Sequence, residues 1–279
     1  VLAVSAPTTT ASGRQLRDEP LTDRYGVLGW PVGHSRSPAM MRAAGLERYQ
    51  RLPVAPAVFA DTVRALGAAG FRGANVTIPH KEAALAVATS ASDVAREIGA
   101  ANTLSFGAGG AIHADNTDAP GLLAALGRAP ASALVLGAGG SARAAVWALR
   151  RSGADVSIWN RTPARAEGLG ARVVATPVAA EVLVNCTSVG LDNLSNPFMD
   201  LALDADALVD YATVVDLVYR AGGTVLIREA DERGIATVDG LEILVRQGAL
   251  SFTLWTGLAA PQDAMRAAAH ATPFETNAP

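Results

Sequence analysis

Lysine is nearly absent from this chain of 279 residues. Of its 23 basic residues, 22 are arginine and only Lys81 is lysine. A guanidinium keeps its proton at any ordinary pH, whereas an ammonium can release one, so a site that must pass a proton can use lysine but not arginine. Cysteine is equally scarce. Cys186 stands alone, which excludes an intrachain disulfide and fits a reducing, cytoplasmic setting. The four histidines, His34, His80, His113 and His270, lie far apart without metal-ligand spacing, so no metal is expected. Aromatic residues make up 5% of the chain, too few for a base-stacking platform. The net charge of −3, with arginines scattered rather than clustered, leaves no footprint for nucleic acid. No apolar run reaches the length of a membrane span, so no membrane partner is expected.

The residues that are present describe a globular α/β protein. The chain is 50% hydrophobic and 18% charged, enough apolar mass for one large core or two smaller ones. The first twenty residues carry no useful period and no signal-peptide pattern, and are expected to be a mobile tail. Beyond them, strand and helix patterns alternate. Strands are expected at 25–30, 52–59, 73–78 and in the pair 101–106 and 110–116. Helices are expected after Ser37, which precedes Pro38 as a cap, over 61–70, from Pro79, over 93–100, and from 117 with Thr117 or Asp118 as its cap. At Ala131 the texture changes to strand, glycine turn and helix. Further strands are expected in 154–162, 171–176, 181–190 and 212–219, further helices in 162–170 and 224–234, and a loop over 191–200. Two terminal helices begin at Gly240. The alternation implies largely parallel sheets, doubly wound, in two domains with a cleft between them. The expected division is a tail at 1–23, a substrate-binding and catalytic domain at 24–118, a nucleotide-binding domain at 119–240, and helices at 241–279 packing back on the first domain.

Gly137, Ala138, Gly139, Gly140, Ser141 and Ala142 match GxGxxA between an apolar strand and a helix, the setting in which glycines let a backbone approach a pyrophosphate at a helix N-terminus. The next strand ends in Asn160, Arg161 and Thr162, with Arg165 following, where an NAD site usually has a carboxylate. Two guanidiniums and two small hydrogen-bonding side chains would hold a 2′-phosphate, so the expected cofactor is NADP.

The ordered set GHSRSP, NVTIPHK, GAANTL, DNTDAPG, GAGGSARA, NRT, NCTSVG, DLVY and DGLEILVRQG resembles shikimate dehydrogenase, from Gly26 to about Gly257. The resemblance implies an N-terminal α/β substrate domain, a Rossmann-like NADP domain, and NADP-dependent reduction of 3-dehydroshikimate to shikimate in aromatic amino-acid biosynthesis. It implies that Ser35 and Ser37 hold the substrate carboxylate, with Arg36 pointing away between them. Thr77, Asn102, Asp118 and Gln247 would grip the ring hydroxyls, with Asn75 and Tyr219 close by. Lys81 and Asp118 would form the catalytic pair, and Leu217 and Gly240 would line the nicotinamide. A small, anionic, densely hydroxylated substrate calls for this inventory of short donors and acceptors. Ala221, Glu242 and Ile243 depart from the family pattern. His80, aromatic in many relatives, is given no proton-transfer role.

Three rivals frame the expectation. A quinate/shikimate dehydrogenase commonly has threonine for the second serine, or an acidic residue at the ribose position. A non-catalytic nucleotide-sensing relative would have lost Lys81 or Asp118. An amino-acid-dehydrogenase-like enzyme acting on folates would lack HSRSP and DNTD. The expected protein is a cytoplasmic monomer or homodimer acting on small molecules.

Overall fold

The computed structural model describes residues 23–191 and 196–271. The expected tail at 1–23 therefore lies almost wholly outside the described residues, as does the middle of the loop expected over 191–200. Strands β1 (Arg24–Gly29), β2 (Tyr49–Pro53), β3 (Phe71–Val76), β4 (Ser90–Ala91), β5 (Thr103–Phe106) and β6 (Ile112–Asp115) form a first sheet in the order β2-β1-β3-β5-β6-β4. Helices α1 (Ser37–Ala43), α2 (Phe59–Leu66), α3 (Lys81–Val87) and α4 (Asp93–Ile98) accompany it, and α5 (Asp118–Leu126) leads away. The second sheet contains β7 (Ser132–Leu136), β8 (Asp155–Trp159), β9 (Arg172–Val173), β10 (Val182–Asn185), β11 (Thr213–Asp216) and β12 (Ala236–Val238), in the order β12-β11-β10-β7-β8-β9. Its helices are α6 (Gly140–Arg151), the short α7 (Pro197–Asp200) and α8 (Val225–Glu232). The long α9 (Gly240–Thr256) and α10 (Gln262–Ala271) follow. Among the described residues no helix is long and apolar enough to cross a membrane.

The second sheet is parallel throughout. Its strand order reverses at β7 and β10, which opens a crevice at the carboxyl ends of those two strands, the usual ligand position in a doubly wound sheet. Val135, Val156, Val184 and Val215, one from each of four strands, are buried with Ala142, Ala145 and Leu149 of α6. Full burial of such side chains stabilises by about 1.5–3 kcal/mol each. Leu241, Val245 and Phe252 of α9 are buried against Met40 and Met41 of α1 and Tyr25 and Tyr49 of the first sheet, so the terminal helices cover the N-terminal unit.

Several expectations need correction. The first sheet is mixed rather than largely parallel, because β5 runs antiparallel to both β3 and β6. The helix expected from Pro79 starts at Lys81, since the His80 N–H closes a turn on the Thr77 carbonyl first. Ser37 is not a cap. Arg36 holds the cap position of α1, and Ser37 is the first helical residue. Neither Thr117 nor Asp118 caps α5 with its side chain; Asn116 Oδ1 instead accepts from the Ala119 N–H at 3.2 Å. The segment 162–170 forms only a 3₁₀ turn at Pro163–Arg165, because Gly168 and Gly170 take positive φ. The strand expected over 52–59 lies earlier, at Tyr49–Pro53, and gives way to a 3₁₀ turn at Pro56–Val58.

Candidate active site

A cleft of about 400 Å³ lies between the two sheets. Ser35, Ser37, Asn75, Thr77, Lys81, Asn102, Asp118, Tyr219 and Gln247 all line it, although they span more than 200 positions in sequence. Most sit at or near an element end. Ser35 and Ser37 open α1, Thr77 follows β3, Lys81 opens α3, Asn102 precedes β5, and Asp118 opens α5. Tyr219 follows β11, and Gln247 projects from the middle of α9.

The polar side chains are already joined to one another. Lys81 Nζ donates to Asp118 Oδ2 at 2.7 Å and to Ser141 Oγ at 2.8 Å. Asn102 Nδ2 lies 2.8 Å from Asp118 Oδ1 and 3.1 Å from Gln247 Oε1, while its Oδ1 accepts from the Thr117 N–H at 2.7 Å. Because the start of α5 is held by Asn102 and Asn116, the Asp118 carboxylate is left to face Lys81. Gln247 Nε2 donates back to the Leu244 carbonyl at 2.9 Å, which sets the amide's orientation. A supporting layer lies beneath. Tyr49 donates to Asn75 Oδ1 at 2.8 Å, Asn75 Nδ2 donates to Ser251 Oγ at 2.9 Å, and Ser251 meets Thr103 at 2.8 Å. Satisfied buried polar groups of this kind hold a single geometry, since each orphan would cost about 1–3 kcal/mol.

At the serine end the charges are limited. Burial and the charge of Arg51 both push the His34 imidazole toward its neutral form, and its buried Nδ1 finds no hydrogen-bond partner among the described residues. Burial raises the pKa of the Tyr219 phenol, and that of Tyr49 well above its ordinary value, so both remain protonated donors. An anion here meets hydroxyl groups from Ser35, Ser37 and Tyr219, with Arg51 close behind donating to the Ser35 carbonyl at 3.0 Å. Arg36 does point away from the cleft. It is fully buried, and its guanidinium donates to the Ala269 carbonyl of α10.

On the nucleotide side, Ser141, Leu217 and Gly240 line the cleft, joined by Cys186 and Ile243. The Cys186 thiol is buried, and burial pushes its pKa well up, which leaves it inert. Gly137, Ala138, Gly139, Gly140, Ala142, Asn160, Arg161, Thr162 and Arg165 lie outside this cleft, along the ends of β7 and β8. Ala138 and Ala142 are buried and pack into the core. A Cβ built at Gly139 meets nothing within 4 Å, leaving an open approach to the turn at the start of α6. Arg161 and Arg165 are exposed and, among the described residues, make no ion pair. The turn, the helix start and the two free guanidiniums suit a dinucleotide bearing a 2′-phosphate.

Three features were not legible beforehand. Glu242, out of pattern, turns from the cleft to pair with Arg246 at 2.6 Å and Arg266 at 2.9 Å, tying α9 to α10. Asp216 is buried, accepting from Asn185, the Val218 N–H and Thr224, and thereby fixes the loop that carries Leu217 and Tyr219. His80 stacks on Phe59 with ring centroids 4.3 Å apart and hydrogen-bonds the Val54 carbonyl at 2.7 Å, a packing role.

A family model described as the shikimate dehydrogenase substrate binding domain matches residues 27–104, and one described as the shikimate 5'-dehydrogenase C-terminal domain matches residues 240–270. A shikimate dehydrogenase (NADP(+)) of Thermus thermophilus is 45% identical, over 88% of this chain and 97% of its own. The chain belongs to the shikimate dehydrogenase family. A family member from Methylobacterium radiotolerans is 44% identical over 85% of this chain and 92% of its own length. The crystal structure of the Thermus thermophilus enzyme in complex with NADP(H) and shikimate superposes with a TM-score of 0.77 at 43% identity, covering 88% of this chain and 98% of that one. A 5-ketofructose reductase of Gluconobacter shares the fold at 29% identity and a TM-score of 0.72, over 88% of this chain and 97% of its own.

Proposed function

We propose that this chain catalyses the NADP-dependent, reversible reduction of 3-dehydroshikimate to shikimate, the shikimate-pathway step toward aromatic amino acids. The observation that carries the reading is the Lys81–Asp118 pair, 2.7 Å apart and largely buried, at the meeting point of the hydroxyl-binding side chains and the dinucleotide turn. Gly137–Ala142, Asn160, Arg161, Thr162 and Arg165 would hold NADP, with Leu217 and Gly240 against the nicotinamide. Bound NADPH supplies the hydride to the carbonyl carbon. Lys81 donates the proton that the developing alkoxide requires. Asp118 holds the ammonium in place and, with Asn102 and Gln247, binds the neighbouring hydroxyls. Ser35, Ser37 and Tyr219 hold the carboxylate, and Thr77 and Asn75 complete the ring contacts.

The domain roles follow: residues 24–118 bind substrate, residues 119–240 bind NADP, and the terminal helices close the first unit. The enzyme acts on small molecules in the cytoplasm, with no nucleic-acid partner. One assay tests the reading. Reduced-nicotinamide absorbance is followed with shikimate or quinate, crossed with NADP or NAD, and in the reductive direction with 5-ketofructose. Turnover of shikimate with NADP well above every other combination supports it. Preference for quinate, for NAD or for 5-ketofructose, or no turnover at all, refutes it.

A further inference from the structure

The proposed reaction gives Ser141 a role only in the glycine turn that would hold NADP. Its side chain is committed elsewhere, 2.8 Å from Lys81 Nζ. An ammonium carries three N–H donors. Asp118 Oδ2 takes one and Ser141 Oγ a second, so one remains for the substrate oxygen. The two partners come from different units, Asp118 from the start of α5 and Ser141 from the first turn of α6. Together they fix the end of an otherwise flexible stem. The approach is built into the framework. Gly140 has no Cβ, and one placed there would lie 2.6 Å from Lys81 Cβ. Further along α6, Trp147 Nε1 donates to Glu97 Oε2 of α4 at 2.9 Å and Arg143 pairs with Glu82 of α3 at 3.4 Å, so the whole helix is seated against the unit that carries Lys81.

We propose that Ser141 is a positioning residue for the Lys81 proton, accepting a hydrogen bond from the ammonium before transfer and donating one to the amine after it. The inference rests on the reading of Lys81 as proton donor. As the carbonyl carbon takes up hydride, the carbonyl electron pair moves onto oxygen. A Lys81 N–H bond breaks, its electrons staying on nitrogen, and an O–H bond forms on the substrate. The amine left behind has a lone pair. An ionised Asp118 is acceptor-only and cannot serve that lone pair, whereas a hydroxyl is donor and acceptor both and serves either state by rotating. Ser141 thereby keeps Lys81 in one place through the proton cycle.

The test compares Ser141→Ala with Ser141→Thr. Both keep the backbone N–H that faces the cofactor, so NADPH affinity by fluorescence titration stays within about threefold of wild type. In Ser141→Ala, kcat for 3-dehydroshikimate reduction falls about 10- to 100-fold with little change in KM, and its solvent deuterium isotope effect rises. Ser141→Thr restores most of the rate. Independently of turnover, Lys81 is the only lysine, so modification by an amine-selective reagent, mapped to that peptide in ligand-free protein, reports how the amine is held. Labelling is several-fold faster in Ser141→Ala and near wild type in Ser141→Thr. A kcat for Ser141→Ala within about threefold of wild type overturns the proposal, as does a loss lying wholly in NADPH affinity. Equal labelling rates, or no rescue by threonine, also overturn it. Wild-type protein inactive on the substrate would instead refute the functional reading, and the labelling comparison would still judge the Ser141–Lys81 bond.

Discussion

Two adjacent glycines of the turn are there for different reasons, and one added methyl group separates them. At Gly140 a Cβ would stand 2.6 Å from Lys81 Cβ and 3.1 Å from Lys81 Cδ, where ordinary contacts are 3.4–4 Å. The obstructing Cβ is fixed to the α3 backbone, so no rotamer of Lys81 relieves the clash. The turn and the start of α3 must separate by about 1 Å, and overpacking of this kind costs about 1–3 kcal/mol. Alanine's better helix propensity returns up to about 1 kcal/mol, so Gly140→Ala folds with a modestly lower Tm. Catalysis suffers more, because Lys81 Nζ moves with its backbone. A misplacement of about 1 Å costs roughly 100-fold in kcat. At Gly139 a Cβ meets nothing within 4 Å and φ is −86°, so Gly139→Ala leaves the protein unstrained and blocks only the approach of a pyrophosphate. Steady-state kinetics and NADPH titration of both variants distinguish the roles: Gly140→Ala loses kcat, and Gly139→Ala loses cofactor affinity. Gly140→Ala turning over within about threefold of wild type would refute the close packing of Lys81 on the turn.

Lys81→Arg keeps the charge but cannot release a proton, so kcat falls about 10²–10⁴-fold while the shikimate KM changes little, read by initial rates. Arg161→Asp removes a charge-assisted bond and adds repulsion, so kcat/KM with NADP falls at least about 10- to 100-fold more than with NAD. Ser37→Ala raises the shikimate KM with a fall in stability of about 1 kcal/mol, because its hydroxyl does not cap α1 but does hydrogen-bond Tyr49, whereas Arg36→Ala lowers stability by about 2–4 kcal/mol by leaving the α1–α10 contact unfilled. Burial raises the Asp216 carboxyl from 3.8 to about 7. The protonated form is the one favoured in the folded state. Its stabilisation is full below about pH 4 and is lost as pH rises through 7, by a few kcal/mol at about 1.4 kcal/mol per tenfold change in proton affinity. Thermal melts therefore decline between about pH 4 and 7, and Asp216→Asn flattens that decline.

Much of this was legible in local sequence because the relevant physics is local. A GxGxxA turn between a strand and a helix works through backbone conformation and a helix start, both of which operate over a few residues. A lone lysine among arginines raises the question of its chemistry, and the short segments around Lys81 and Asp118 answer it. The paired Ser35 and Ser37, the Asn102 turn and Asp118 carried the family's pattern in short segments. What lay beyond reach depended on which surfaces meet. Capping was misassigned at Ser37 and at Thr117 or Asp118 because propensity does not reveal that Ser37 falls one residue inside the helix, or that Asn116 takes the cap and releases Asp118. The first sheet was taken as largely parallel because the direction of β5 depends on its pairing with β3 and not on its own residues. That Arg36 and Glu242 both meet partners on α10 depended on how that helix packs. The residue types and their order set the chemistry available to this protein: one dissociable cation, hydroxyls and amides for a polyol acid, a turn for a pyrophosphate. Only the tertiary structure decided that helix α6 crosses to the other unit and sets Ser141 against Lys81, because that contact joins residues sixty positions apart through the packing of two separately formed cores.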